Sequence, residues 1–137
     1  MFENQMVKYL HLCLLLTFSS PALAKWTVAA SSTDGVFYVY LAADGIHKTS
    51  ETTVRHWQIL DLAKAENGTE SYLAMDEVDC LAKRARTFEF ASFSRPMAQG
   101  KRTHTLRKTS DWRYLPPNTP GADVLKAVCS FALPRVK

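Results

Sequence analysis

After the first two dozen residues, short apolar runs rich in β-branched and aromatic residues alternate with turn residues. Trp26 to Ser31 predicts a first strand, and Val36 to Leu41 has the strongest strand composition in the chain. Thr33-Asp34-Gly35 predicts the turn between these two strands, and Asp44-Gly45 predicts a second turn. The alternation indicates an antiparallel sheet.

Val54 to Leu62 predicts a third strand, but the pattern does not decide which of its faces points inward. Trp57 and Ile59 fall on one side of an extended chain, whereas Val54 and Leu60 fall on the other. A β-bulge within the strand would bring these bulky residues onto one face.

Asn67-Gly68, between two strand-like runs, is the strongest hairpin signal in the chain. Ser71 to Val78 and Asp79 to Phe93 then have the composition of extended chain. In the second of these runs, Arg84 and Arg86 share the parity of apolar residues. We therefore expect this strand to project beyond the core or to change face midway.

The last strand and the helix follow from a change of pattern. Arg102 to Lys108 predicts an edge strand after a turn marked by Pro96 and Gly100, because its charges discourage edge-to-edge pairing. Thr119 is suited to cap a helix that begins at Pro120. The apolar stripe of this helix, which Pro134 should end, consists of Leu125, Val128, Cys129 and Ala132. The predicted fold class is α+β, an antiparallel sheet of five to six strands with one C-terminal helix.

Residues 1–24 are typical of a secretory signal peptide, with cleavage expected before Lys25. Their apolar run is shorter than the roughly 20 residues that span a bilayer. The residue before Cys13 is Leu12, whereas a lipoprotein signal requires a small residue there, so we expect no lipid anchor. The alternatives are an amphipathic N-terminal helix of a cytosolic protein, and a translation start at Met6 instead of Met1. The mature chain, residues 25–137, is expected to form one domain without a transmembrane segment, either periplasmic or secreted to the cell surface or beyond.

Cleavage of the signal would leave two cysteines, Cys80 and Cys129. An even count in an oxidising compartment predicts one disulfide, here between the sheet and the inward face of the helix. The alternative is a pair of free buried thiols. A zinc site is not expected, because the two cysteines lack a partner at metal-ligand spacing.

Charge is distributed unevenly along the mature chain. Residues 25–78 carry four Lys or Arg and eight Asp or Glu, whereas residues 79–137 carry twelve and four. Two groups of cations could bind an acidic partner such as a sulfated glycan, an acidic protein or anionic lipid, with nucleic acid not expected. The alternative is an ordinary solvated surface. The first basic group is Lys83, Arg84 and Arg86, and the second basic group is Lys101, Arg102, Arg107 and Lys108, with His104 among them.

The sequence contains no recognisable catalytic or cofactor motif. His47, His56 and His104 lie outside any nucleophile or metalloprotease signature, and we expect His56 to be a surface or cross-strand residue. Asp76 and Glu77 should point to opposite faces of a strand, which argues against a catalytic carboxylate pair. Calcium loops and glycine-rich phosphate loops are also absent. We therefore predict a protein that is not an enzyme, with no metal and no cofactor.

The ordered landmarks of the mature chain resemble the surface-adhesin protein E family of bacterial exported proteins. The resemblance covers almost all of residues 25–137 and rests on the spacing of its landmarks. These are Trp26, Phe37-Tyr38, the Val54 to Asp61 strand around Trp57, Tyr72, Glu77-Val78-Asp79-Cys80, Arg84, Arg86, Phe93, Pro96-Met97, Gly100, Trp112-Arg113, Pro117, and Leu125 to Cys129.

The resemblance implies an antiparallel sheet joined to a C-terminal helix by the disulfide, often in a homodimer. It also implies adhesion to host matrix or plasma proteins such as laminin, vitronectin or plasminogen. An exported binding protein is therefore the first functional hypothesis. The second is a structural or accessory protein of the envelope without a host ligand. The third is a small exported hydrolase that uses His56 or His104, which would require either histidine to lie beside a carboxylate and a hydroxyl in a cleft.

Overall fold

The computed structural model describes residues 25–132, so the predictions for the signal peptide and for Pro134 lie outside the described residues. Within these residues, seven strands are followed by one helix. The strands are β1 (Trp26–Ser31), β2 (Phe37–Lys48), β3 (Thr53–Glu66), β4 (Thr69–Asp79), β5 (Arg84–Arg95), β6 (Gln99–Leu106) and β7 (Arg113–Tyr114), and the helix is α1 (Pro120–Ala132).

The strands form one antiparallel sheet in which β1 to β6 are neighbours in chain order. Strand β5 has β4 along one side. Its other side is shared, because Phe90 to Arg95 pair with β6 and Arg84-Ala85 pair with β7. The predicted fold class is confirmed, with the short β7 added to six main strands, and β6 is an edge strand as predicted.

Two details of the first half differ from the prediction. Asp44-Gly45 does not end a strand, because it lies within β2, where the pairing with β3 is irregular between Leu41 and Ile46. Strand β3 has no bulge against β4 between Thr53 and Asp61. Val54 and Ile59 lie on opposite faces of β3, and both are buried. The apolar residues of this strand therefore pack on both faces of the sheet and not on one.

The hairpin at Asn67-Gly68 is confirmed, and both residues adopt positive φ angles of 49° and 77°. This geometry suits a two-residue turn between right-twisted strands. The sequence did not reveal the next turn, which spans Cys80 to Lys83 and separates β4 from β5. Asp79 ends β4 and accepts hydrogen bonds from the backbone N–H groups of Leu81 and Ala82, so a side chain instead of a glycine organises this turn.

Strand β5 changes face midway, as one of the two predicted alternatives required. Its pairing with β4 shifts between Met75 and Asp76, which face Glu89 and Thr87. The residue between these two partners, Phe88, is therefore the extra residue of a bulge. Because of this shift, Arg86 and Ala91, which are an odd number of residues apart, lie on the same face of the sheet.

Helix α1 begins as predicted, with Thr119 Oγ1 accepting a hydrogen bond from the N–H of Ala122 at 3.3 Å. The helix packs across β1 to β4 and covers one side of the sheet, here called the helix face. Its core residues interlock with apolar residues of the strands. The buried residues of this core are Ala30, Val39, Leu41, Val54, Val78, Ala85, Val124, Leu125 and Val128.

Cys80 and Cys129 form a disulfide, as predicted, across a Cα–Cα distance of 5.9 Å. Cys80 lies in the turn after β4 and not within a strand, whereas Cys129 lies on the inward side of α1. The bridge therefore ties the end of the β4–β5 hairpin to the C-terminal half of the helix.

Candidate functional site

The first basic group is largely neutralised by carboxylates of the neighbouring strand β4. Asp79 Oδ2 accepts hydrogen bonds from both Nε and Nη2 of Arg84 at 3.2 Å. The backbone N–H of Ala82 and, less strongly, Arg84 lower the pKa of Asp79 against the opposing effect of burial. Arg84 thus holds the β4–β5 turn together and offers little free charge to a partner.

Glu77 plays the same part for Arg86 and for a third arginine, Arg55. Its Oε1 lies 2.6 Å from Arg86 Nη2, and its Oε2 lies 3.3 Å from Arg55 Nη2 and 3.0 Å from the hydroxyl of Thr49. Burial alone would raise the pKa of Glu77, but the hydrogen bonds from Arg86 and Thr49 and the two positive charges outweigh it, so that pKa is lowered. The carboxylate is therefore held ionised between the guanidinium groups of Arg55 and Arg86.

Aromatic rings complete this arrangement on the side of the sheet opposite the helix, here called the outer face. The Arg84 and Arg86 guanidinium carbons lie 4.6 and 4.4 Å from the centre of the Trp112 ring. Arg55 lies 4.1 Å above Phe88. Contacts of this kind stabilise by about 0.5–1 kcal/mol at exposed sites. We call Arg55, Glu77, Asp79, Arg84, Arg86, Phe88 and Trp112 the arginine–aromatic cluster.

Lys83, the third member of the first basic group, is exposed in the turn after Cys80. It lines an open, mainly apolar groove of about 570 Å³ beside the disulfide, together with Tyr114, Pro117 and Lys126. Unlike Arg84 and Arg86, Lys83 forms no ion pair among residues 25–132. Its charge is therefore available to a partner.

The second basic group lies on and just beyond the edge strand β6, which ends at Leu106 and not at Lys108. Lys101, Arg102 and Lys108 are exposed and form no ion pair within the described chain. Arg102 lies 5.5 Å from the centre of the Phe93 ring. Arg107 pairs with Glu89 at 3.2 Å, but its side chain is 76% exposed, so this pair contributes only about 0–1 kcal/mol.

The first basic group lies at the start of β5, whereas Lys101 and Arg102 of the second group lie beside its other end. Arg84 pairs with β7, whereas β6 runs beside Phe90 to Arg95. The edge strand β6 pairs with β5, but this pairing does not place Lys101 and Arg102 next to the first group. The cations that remain available to a partner are concentrated on β6.

His56 is not on the surface, because its side chain is only 1% exposed on the helix face of β3. Its cross-strand partner is Asp76, as one of the two expectations for this residue required. Burial lowers the pKa of His56, and the charge of Asp76 only partly opposes this effect. The imidazole is therefore held neutral at pH 7.

His56 and Asp76 line a cavity, which brings together two of the three elements expected of a hydrolase. His56 Nε2 contacts Gln58 Oε1 at 3.4 Å, and no hydrogen bond joins the ring to a Ser or Thr hydroxyl within residues 25–132. Asp76 and Glu77 do point to opposite faces, as predicted. His104 is exposed on β6 and lies 5.9 Å from the Phe90 ring centre.

Three residues of these arrangements were landmarks of the family resemblance but were not predicted as contact residues: Arg55, Trp112 and Arg113. Arg113 lies beside Asp76, with Nη2 at 3.6 Å from Oδ2, although it follows Trp112 directly. The one available signal was the charge balance of β4, where three acidic side chains, Asp76, Glu77 and Asp79, are buried and require cationic partners. That signal does not identify which arginines supply them.

Comparisons with known proteins agree with this fold. The surface-adhesin protein E family profile matches residues 26–130. Comparison with curated protein sequences finds no match. Among the described residues, no helix has both the length and the apolar character needed to cross a bilayer.

Crystal structures of Haemophilus influenzae protein E share the architecture. One matches with a TM-score of 0.60 and 13% identity over 82% of this chain and 90% of that chain. A second, from non-typeable Haemophilus influenzae, matches with a TM-score of 0.59 and 13% identity over 84% of this chain and 86% of that chain. At this identity the structures support the fold, and the family profile supports membership. The chain belongs to the surface-adhesin protein E family.

Proposed function

We propose that this protein is an exported, non-catalytic binding protein that acts by surface contact with protein partners. Its family is one of surface adhesins, and this supports an extracytoplasmic role. The candidate partners are host laminin, vitronectin and plasminogen, which the family resemblance implies. Signal cleavage near Ala24-Lys25 and the absence of a lipid anchor are part of this proposal, as is a possible homodimer.

The observation that carries the proposal is the row of cations on and just beyond the edge strand β6 that have no acidic partner within residues 25–132. Lys101, Arg102 and Lys108 are exposed, whereas Arg84 and Arg86 are engaged by Asp79 and Glu77. Charged groups at an accessible rim mainly steer association with a partner of opposite charge. We therefore place the primary contact surface at the second basic group, and Lys83 beside a separate groove.

Solid-phase binding of the oxidised protein to laminin, vitronectin and plasminogen tests this function. We expect saturable, salt-sensitive binding to at least one of them, and a several-fold loss of affinity in the double variant Lys101→Glu/Arg102→Glu. The matched control is Lys48→Glu/Lys64→Glu, which changes the net charge equally at two other exposed lysines.

Each result of this assay separates the functional hypotheses. An equal loss of affinity in both double variants would show that only the net charge matters. That result would contradict a binding site on β6. A flat response to all three host proteins would favour the accessory envelope role instead.

A further inference from the structure

A cavity of about 180 Å³ lies between the helix face of the sheet and the N-terminal turn of α1. Its walls are mostly apolar and include Val39, Leu60, Val78, Leu115 and Val124. An engineered cavity of about 150 Å³ with such walls takes up benzene, so this volume is enough for a ring-sized molecule.

In the polar part of the cavity wall, the hydrogen bonds of Gln58 determine which neighbouring atoms donate and which accept. Gln58 donates its Nε2–H to Asp76 Oδ2 at 3.1 Å, which leaves Gln58 Oε1 as an acceptor. That oxygen faces His56 Nε2 at 3.4 Å, so the proton of the neutral imidazole belongs on Nε2. His56 Nδ1 is consequently a lone-pair acceptor.

Two buried acceptors on adjacent strands therefore lack a donor. Within residues 25–132, neither His56 Nδ1 nor Asp76 Oδ1 has a hydrogen-bond partner, because Gln58 and Arg113 both approach Asp76 through Oδ2. Their residues are 1% and 4% exposed and form a direct cross-strand pair. Leaving a buried acceptor unsatisfied costs about 1–3 kcal/mol, so two neighbouring ones require a group with at least two donors.

We propose that this cavity binds a compact primary amine, whose ammonium N–H groups donate to Asp76 Oδ1 and His56 Nδ1 while its apolar part fills the space against Leu60, Leu115 and Val124. An ammonium supplies several donors and a charge that a carboxylate oxygen favours over a neutral hydroxyl. A water molecule also offers two donors, but it would leave the apolar walls uncovered.

A route to the cavity runs along the helix face. A second hollow of about 190 Å³ shares Gln58, Leu60, Asp76 and Arg113 with it and extends toward Phe90. The Arg113 side chain at this boundary is 52% exposed. Movement of this one half-exposed side chain would widen the passage.

The test uses benzylamine as the probe and the oxidised protein, followed by calorimetry and by the imidazole resonances of its histidines. For a ligand of this size we expect a Kd of about 1 mM or tighter at pH 7. We also expect benzylamine to shift the resonances of buried His56 but not those of exposed His47. Asp76→Asn should weaken binding at least tenfold, because its amide can replace the acceptor Oδ1 by a donor. Asp111→Asn, the same change at an exposed aspartate near Arg113, should leave binding unchanged.

A ligand series on the unmodified protein keeps the test independent of whether Asp76→Asn folds. Benzyl alcohol, with one donor, and toluene, with none, should each bind at least several-fold more weakly than benzylamine. Equal affinities across the series would overturn the assignment of the amine head group. Absence of saturable benzylamine binding, or binding that does not shift His56, would overturn the site.

Discussion

Glu77 shows how single residues decide which charges of this protein are available to a partner. The sequence places Arg86 in a run of cations, and from that run alone it is a candidate contact residue. In the fold, Glu77 engages both Arg86 and Arg55, and Trp112 covers Arg86 from one side. The parity of residues along one strand predicted that Glu77 and Asp76 face opposite ways, but not which cations each would meet.

Replacing Glu77 by Gln should lower the free energy of unfolding by about 1–3 kcal/mol at pH 7. Removing one partner of a buried ion pair costs about 3–5 kcal/mol, and we discount this because the Arg55 and Arg86 side chains are about one third exposed. Urea unfolding measures the change. Glu51→Gln, at an exposed position, is the control and should change the stability by less than about 0.5 kcal/mol.

The effect of Glu77→Gln should also depend on pH. The pKa of Glu77 is lowered in the folded state, so its stabilisation is present above the unfolded value of about 4.3 and is lost as the pH falls through the folded pKa. The difference between the two proteins should therefore shrink below about pH 4. A difference that stays constant down to pH 3 would show that packing, and not the ionised carboxylate, is responsible.

At the scale of elements, turn residues and strand composition predicted most of the sheet. They did not predict the register between β3 and β4. The Asn67-Gly68 turn fixes the pair Glu66–Thr69. Counting from that turn would pair His56 with Asp79. An irregularity between Asp61 and Glu66 shifts the register by three residues, so that His56 faces Asp76 instead. The cavity and the pairing of His56 with Asp76 depend on this shift, which no local sequence pattern predicts.

Gly100, the second residue of β6, and Gly68, in the β3–β4 turn, give a matched pair of glycines for an element-scale prediction. Gly100 and Gly68 both have positive φ angles, of 76° and 77°. A Cβ at Gly100 would lie 2.5 Å from Ser94 Oγ, an atom that accepts a hydrogen bond from the Lys101 N–H, whereas a Cβ at Gly68 meets nothing within 4 Å.

Alanine at both positions bears the strain of positive φ, about 1 kcal/mol, but only Gly100→Ala should also displace a neighbour. We expect thermal unfolding to show a loss for Gly100→Ala that exceeds the loss for Gly68→Ala by about 1 kcal/mol or more. Equal losses would mean that Ser94 moves aside without cost.

At the scale of the whole molecule, the predicted staple between sheet and helix is present, although Cys80 lies in a turn. The disulfide joins positions 49 residues apart and anchors α1 against the β4–β5 hairpin. Helix placement and the cysteine pairing could be predicted because the apolar stripe, the cap and the two cysteines of residues 25–137 all agree. The edge position of β6 was predicted from its charges. The exposed cations Lys101 and Arg102 lie on this strand, apart from Arg84 and Arg86, which are paired with carboxylates.

Replacing Cys129 by Ser should lower the free energy of unfolding by roughly 2–5 kcal/mol, because the reduced chain regains the freedom that the closed loop removes. Urea unfolding of the variant and of the oxidised parent measures this. The double variant Cys80→Ser/Cys129→Ser should match the single one, since either change removes the same bond. An unchanged midpoint in the single variant would show that α1 is held by packing alone.

The most direct test of a contact surface on β6 is heparin affinity chromatography of the oxidised protein in a sodium chloride gradient. We expect Lys101→Glu/Arg102→Glu to elute at clearly lower salt than the parent. We also expect the equally charged control, Lys48→Glu/Lys64→Glu, to shift much less. Parent-like retention of Lys101→Glu/Arg102→Glu, or the same shift in both double variants, would contradict the central claim that binding occurs through the free cations of the edge strand.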